Sequence, residues 1–365
     1  MTTLALLLIF PLCWPFVAKL IWKHELTFAE VGANLAIGAL VVTLGWALGK
    51  YGQTWDTEIL NGAVTSKYSE RVSCAHSYEC NCYDSCSGSG DKRTCTRVCS
   101  TCYEHSYDVD WVLDTTVGNI TIDRVDRQGT QEPLRFSRAA VDDPVARSSS
   151  FVNYIKAVPE SLFNASAEAS LVQSFAGQLP TYPSHIHDYH YVNRVLASGV
   201  SVPELSIWNL ELAKTLRKLG PLKQANLVVV FTNAPSEQYA NALRAAWLGG
   251  KKNDVVVVMG TPNYPSIEWV SVFSWSDAEL FKVQLRDALR DLKEVRRDDF
   301  FTLVASHIEK GFVRKPMQDF AYLESQIEPP TWALVILVML SIGASVLTSR
   351  FLAQNTIRTG INNYR

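Results

Sequence analysis

Charge of either sign is scarce in this chain: Lys, Arg, Asp and Glu make up 19% of 365 residues, and 34 cations nearly cancel 36 anions. Without a surplus of Lys and Arg there is no electrostatic footprint for nucleic acid, so no nucleic-acid partner is expected. The familiar catalytic spacings are missing too. The soluble region contains no GxSxG, no P-loop, no HExxH and no GxGxxG opening a helix, which weighs against an enzyme. There is no Asp-x-Asp-x-Asp-Gly loop either, so Asp108, Asp110, Asp114, Asp123 and Asp126 read as the solvated side of a hairpin rather than as a calcium site.

Cysteine is almost absent outside one window, and inside it is dense. Seven of the eight cysteines lie in CAHSYECNCYDSCSGSGDKRTCTRVCSTCYEH, spaced C-x5-C-x-C-x3-C-x8-C-x3-C-x2-C and flanked by His76 and His105. A loop so rich in Ser, Gly, Asp and Asn has little apolar surface, so sulfur must hold it folded. Two arrangements are open. Cys74, Cys80, Cys82, Cys86, Cys95, Cys99, Cys102 and His105 together supply the eight ligands of two tetrahedral zinc sites, with Cys99-x-x-Cys102 at knuckle spacing. Alternatively, three disulfides form with one thiol spare, as placement outside the cytoplasm favours. Either role is structural, and zinc is the one cofactor these residues suggest.

A mean hydropathy of +0.02 looks like that of a soluble average but mixes three apolar runs with a polar middle. Residues 2–22, 30–49 and 331–349 read as transmembrane helices, the first kinked by Pro11 and Pro15. Lys19 and Lys23 in the first connection, and Arg350, Arg358 and Arg365 in the tail at 350–365, assign those two ends to the cytoplasm. The expectation is a multi-pass protein of a bacterial inner membrane, with residues 50–328 in the periplasm and the C-terminus cytoplasmic. Gly45 and Gly49 have the small-x-x-x-small spacing that would let this helix meet a second copy.

The expected fold class is α/β, with a small cysteine-rich β unit. Residues 51–163 form that β unit: alternation from His105 to Val125 around Gly118-Asn119 predicts a hairpin, and 126–150 reads as a loop. Residues 164–203 lack a period and read as a connector. In 204–325 the texture changes. A helix at 204–219 precedes the strand ANLVVVF, a helix at 236–248, the strand DVVVVM, a strand at 267–274 and helices at 276–295 and 300–312, the alternation of an α/β sandwich.

Within it, NLVVVFTNAPSEQYANALRAAWLGGKKNDVVVVMG, residues 226–260, resembles the TPM domain. The resemblance is carried by the first strand, Tyr239-Ala240, Leu243, Trp247 and Gly249-Gly250-Lys251-Lys252 before an Asp. It implies an extracytoplasmic α/β domain tied to a membrane; members include metal-binding phosphatases and interaction modules. Val255 stands where the family usually has glycine. The span arrangement as a whole is similar to that of membrane proteins encoded by tailed bacteriophages, which implies a host inner membrane setting.

Two weaker metal candidates remain. His185, His187 and His190, in PSHIHDYHYVNR, have strand or turn spacing for one metal, although the interleaved tyrosines better suit a strand docked on a core or on the membrane interface. Asp254 is the acid that a TPM-like metal site would use. The reading that gathers these features is a membrane-anchored extracytoplasmic binding or assembly protein, not an enzyme, whose partners are the bilayer and an envelope protein. A metal-dependent phosphatase-like hydrolase and a zinc module facing the cytoplasm are the alternatives.

Overall fold

The computed structural model of the protein describes residues 6–22, 27–88, 94–158, 165–184 and 193–355. The chain divides into two compact units: Met1–Asp56 with Ser150–Asn164 and Met317–Arg365, and Thr57–Ser149 with Ala165–Pro316.

The first unit is built on apolar helices. Thr27 accepts a hydrogen bond from the Glu30 N–H and so caps the helix Phe28–Gly52, a capping-box start written as Thr-x-x-Glu. This helix and Thr331–Leu352 are long and apolar enough to cross a membrane. The sequence predicts three such helices, and the structure holds two among the described residues. The helix Ile9–Trp22 has 14 residues, which at ~1.5 Å each gives about 21 Å, short of a ~30 Å hydrocarbon core.

The helix Phe28–Gly52 runs antiparallel to Thr331–Asn355. Asn34 near its start meets Ser349, and Gly49 near its end faces Pro329 and Ala333. Small residues let the backbones approach: a Cβ on Gly45 would run into Leu337, and one on Gly38 into Pro11 of the short helix. The face offered by Gly45 and Gly49 is therefore taken by the chain's own C-terminal helix. Opposite it, Ser341, Ser345 and Ser349 recur every fourth residue and are all buried, which places them on one side of their helix.

The second unit holds three sheets, all but residues 55–56 and 150–152 of their strands. Strands β1 (Trp55–Val72), β4 (Asp108–Thr115), β5 (Ile120–Ile122) and β6 (Pro144–Val152) form one sheet in the order β5-β4-β1-β6, while β2 (Ser77–Ser87) and β3 (Thr94–Tyr103) form a separate hairpin. Val64, Leu113, Ile120, Ile122, Phe136 and Val145 make the core of the four-stranded sheet. The third sheet has the order β10-β9-β8-β7, comprising β7 (Val195–Ser198), β8 (Asn226–Thr232), β9 (Asp254–Gly260) and β10 (Trp269–Phe273). β7, β8 and β9 are parallel and β10 is antiparallel.

Both faces of this third sheet are covered, which is why β8 and β9 read as unbroken apolar runs. Leu227, Val229, Phe231, Val255, Val257 and Met259 pack on the helices Leu205–Lys223, Glu279–Asp291 and Arg297–Gly311. The alternate residues Val228, Val230, Val256 and Val258 pack on Gln238–Ala246 together with Phe175 and Tyr182. The α/β layering expected from the sequence is present. Two segments differ from the reading. Residues 126–150 include a short helix, Leu134–Arg138, and most of β6. The stretch read as a connector holds the helix Ala165–Ser174 and the edge strand β7.

Candidate functional site at the foot of the cysteine hairpin

Val72 at the end of β1 and Asp108 at the start of β4 are partners in the sheet ladder. Residues 73–107 therefore leave and rejoin the sheet at one place. Most of this excursion is the β2–β3 hairpin, which is exposed along nearly its whole length. A lone two-stranded ladder with no face to bury is marginal in water. Sulfur supplies what packing does not: Cys80–Cys102, Cys82–Cys99 and Cys86–Cys95 are disulfides between its strands.

The arrangement of eight zinc ligands is thus not the one found. The hairpin register sets Cys86 directly across from Cys95, and opposed residues have the Cβ separation that a disulfide needs. Cys80, Cys82, Cys86, Cys95, Cys99 and Cys102 all spend their sulfurs in this way. Glu79 clusters with Cys82 and Cys99, but those two thiols are the ones already paired.

Cys74 and His105 are left, one in each linker at the foot of the hairpin, and the fold brings them together. The Cys74 thiol is buried and unpaired, donates weakly to the His76 carbonyl at 3.5 Å and lies 3.8 Å from His105 Nδ1. A third group joins them. Asp108 is fully buried, at 0% exposure, with Oδ1 3.4 Å from the same Nδ1.

The carboxylate is anchored through its other oxygen. Oδ2 accepts from the Ala75 N–H at 2.8 Å and from Arg124 NH1 at 2.6 Å, and Arg124 is held in turn by Asp110 at 2.9 Å. The Ala75 N–H foremost, then Arg124 and Cys74, outweigh burial and bring the Asp108 carboxyl down to about 2. The two linkers are tied by the Glu104 N–H donating to the His76 carbonyl at 3.0 Å. Ser73, Tyr103, Glu104 and Ser106 line an open cleft together with Cys74 and His105.

Cysteine, histidine and aspartate invite comparison with a nucleophilic triad, but the geometry differs. In a triad the acid binds one imidazole nitrogen and the nucleophile the other. Here sulfur and carboxylate both approach Nδ1. The three groups converge on a point instead of forming a relay.

The sequence singles out Cys74 and His105 and predicts Asp108 on a solvated face, whereas Asp108 is buried. Its burial depends on Ala75 and Arg124, which alternation along a strand does not reveal. A signal was present nonetheless: Cys-x-His at one foot and His-x-x-Asp at the other.

The remaining candidates fall elsewhere. His185, His187 and His190 lie outside the described residues. Asp254 is buried at the start of β9 and accepts from Asn226 Nδ2, the Lys251 N–H and the Tyr182 hydroxyl, each at 2.8 Å. Burial pushes its carboxyl up. It belongs to an interior polar network, not to a ligand cluster. Asn226 also accepts from Asn61 Nδ2 at 3.2 Å, and Asn61 Oδ1 accepts from Arg194 NH1 at 2.6 Å, so β1 is bound to the core of the α/β sheet.

No known protein family, curated protein or solved structure matches this chain.

Proposed function

We propose that the chain is a membrane-anchored, non-enzymatic binding or assembly protein that presents a disulfide-stapled hairpin and an α/β unit outside the cytoplasm to a protein partner. The observation that carries this reading is the hairpin itself. Its strands are locked by three cross-links yet bury almost nothing within the chain, and Tyr78, Tyr83, Tyr103 and Val98 stand exposed on it, Tyr83 at 61%. Exposed tyrosines on a rigid ladder suit recognition, since the ring offers a large contact area at little cost in conformational entropy. Disulfides also favour an oxidising compartment, and two apolar helices are long enough to anchor the chain there. The TPM and phage resemblances agree with an envelope role.

The three hydrogen bonds that Asp254 accepts from Asn226, Lys251 and Tyr182 weigh against the phosphatase-like alternative.

A photo-crosslinking residue in place of Tyr83, in full-length protein in its native membrane, tests the reading. A discrete protein adduct that is absent when the same residue replaces exposed Leu134 supports it. No adduct, together with six freely alkylated hairpin thiols in the isolated membranes, sinks both the binding role and the compartment.

A further inference from the structure

We infer that Cys74, His105 and Asp108 bind one zinc-type divalent ion, with a fourth coordination position open to the cleft at the hairpin foot. The inference rests on geometry independent of the binding role proposed above.

The separations of the three ligand atoms suit a tetrahedral ion. With zinc to sulfur at ~2.3 Å, to nitrogen at ~2.05 Å and to oxygen at ~2.1 Å, tetrahedral angles give about 3.6 Å between sulfur and nitrogen and about 3.4 Å between nitrogen and oxygen. Sγ of Cys74 and Nδ1 of His105 are 3.8 Å apart, and Nδ1 and Oδ1 of Asp108 are 3.4 Å apart. All three ligand atoms lie within 4.8 Å of one another. A mixed set of thiolate, imidazole and carboxylate selects zinc over the hard cations magnesium and calcium, which prefer oxygen alone.

A second observation points to the same place. Asp108 Oδ1 is buried without a well-formed hydrogen bond, although its partner oxygen accepts two. An acceptor left bare in a buried carboxylate is costly, and it faces the one imidazole nitrogen that the thiol also faces. The outer partners resemble those of established metal sites. Arg124 and the Ala75 N–H fix the carboxylate, and Asp110 fixes Arg124, the kind of support that orients a ligand.

Binding is balanced simply. The Cys74 thiol releases its proton to solvent as the metal–sulfur bond forms, His105 binds as neutral imidazole through Nδ1, and Asp108 is already ionised. The cleft between Ser73, Glu104 and Ser106 leaves room for water or a partner's side chain at the fourth position. The hairpin foot would then be a metal-dependent attachment point, not a buried structural clasp.

The test uses the full chain in detergent, with Cys74 verified as a free thiol by mass, stripped with a chelator and dialysed against Zn²⁺. The expected result is about one retained zinc per chain, with Cys74→Ser, His105→Ala and Asp108→Asn each weakening affinity by ~10-fold or more. Substituted Co²⁺ should give a thiolate-to-metal charge-transfer band that vanishes in Cys74→Ser. Intact mass shows whether each variant keeps its three disulfides, so a misfolded hairpin is distinguished from a lost ligand. The inference is overturned if wild type retains no zinc, if folded variants bind as wild type does, or if retention is abolished only by replacing His185, His187 and His190.

Discussion

Asn34 donates a 3.1 Å hydrogen bond to Ser349 across 315 residues of sequence, both side chains buried between the two long apolar helices. In an apolar seam such a bond fixes how the two helices slide against each other, and Gly45 against Leu337 fixes how closely they approach. We expect Asn34→Ala to destabilise the helix pair by about 0.6–2 kcal/mol. Gly45→Leu should cost about 1–3 kcal/mol by overpacking. Denaturation of the full chain in mixed micelles measures both, and a neutral Gly45→Leu would show that the seam is not closely packed.

The hairpin disulfides should matter to the hairpin and little to the α/β sheet, which has cores of its own on both faces. Each cross-link is worth about 2–4 kcal/mol. Reduction should therefore open residues 77–103 to proteolysis while fragments containing 195–311 persist. Loss of both together would reveal a coupling that the packing does not display.

Arg194 is 2% exposed, and burial lowers its guanidinium to about 10. Its NH1 bond to Asn61 is the one that links it to β1. Asn61→Ala leaves a buried cation without that acceptor and should cost about 1.5–3 kcal/mol. Arg194→Met removes the charge itself and should cost less. Urea unfolding followed by hydrogen exchange at β8 separates the two, and the reverse order would refute the electrostatic account.

Because the Asp108 carboxyl is held at about 2 in the folded chain against an ordinary carboxylate value near ~3.9, the unfolded chain takes up the proton first as pH falls. The stabilisation is complete above the ordinary value and drains away between about pH 4 and 2. In metal-free protein, the gap in thermal midpoint between wild type and Asp108→Asn should narrow steadily across that window. A constant gap would mean that Ala75 and Arg124 do not favour the ionised form.

The strands β8 and β9 were legible because both their faces are buried and valine runs without interruption. The hairpin was not legible as strands, for the opposite reason. With neither face buried, selection for apolar alternation is absent, and only sulfur spacing marked it as ordered. β7 has four residues, too few for a period to emerge, and β1 carries a ladder irregularity between Val64 and Ser66 that shifts its alternation midway. The short helix at Ile9–Trp22 was counted as a span because apolar composition says nothing of where a helix ends. At the site, Cys74 and His105 stood out by residue type, while Asp108 sat unremarked among four other acids.

The pairing of Val72 with Asp108 makes the hairpin a detachable cassette. Since the chain departs and returns through a single rung of one ladder, residues 77–103 can be lengthened, shortened or exchanged for another cross-linked finger without altering the thread of the sheet beneath. A new finger can be grafted there, with the two linkers kept as a constant socket.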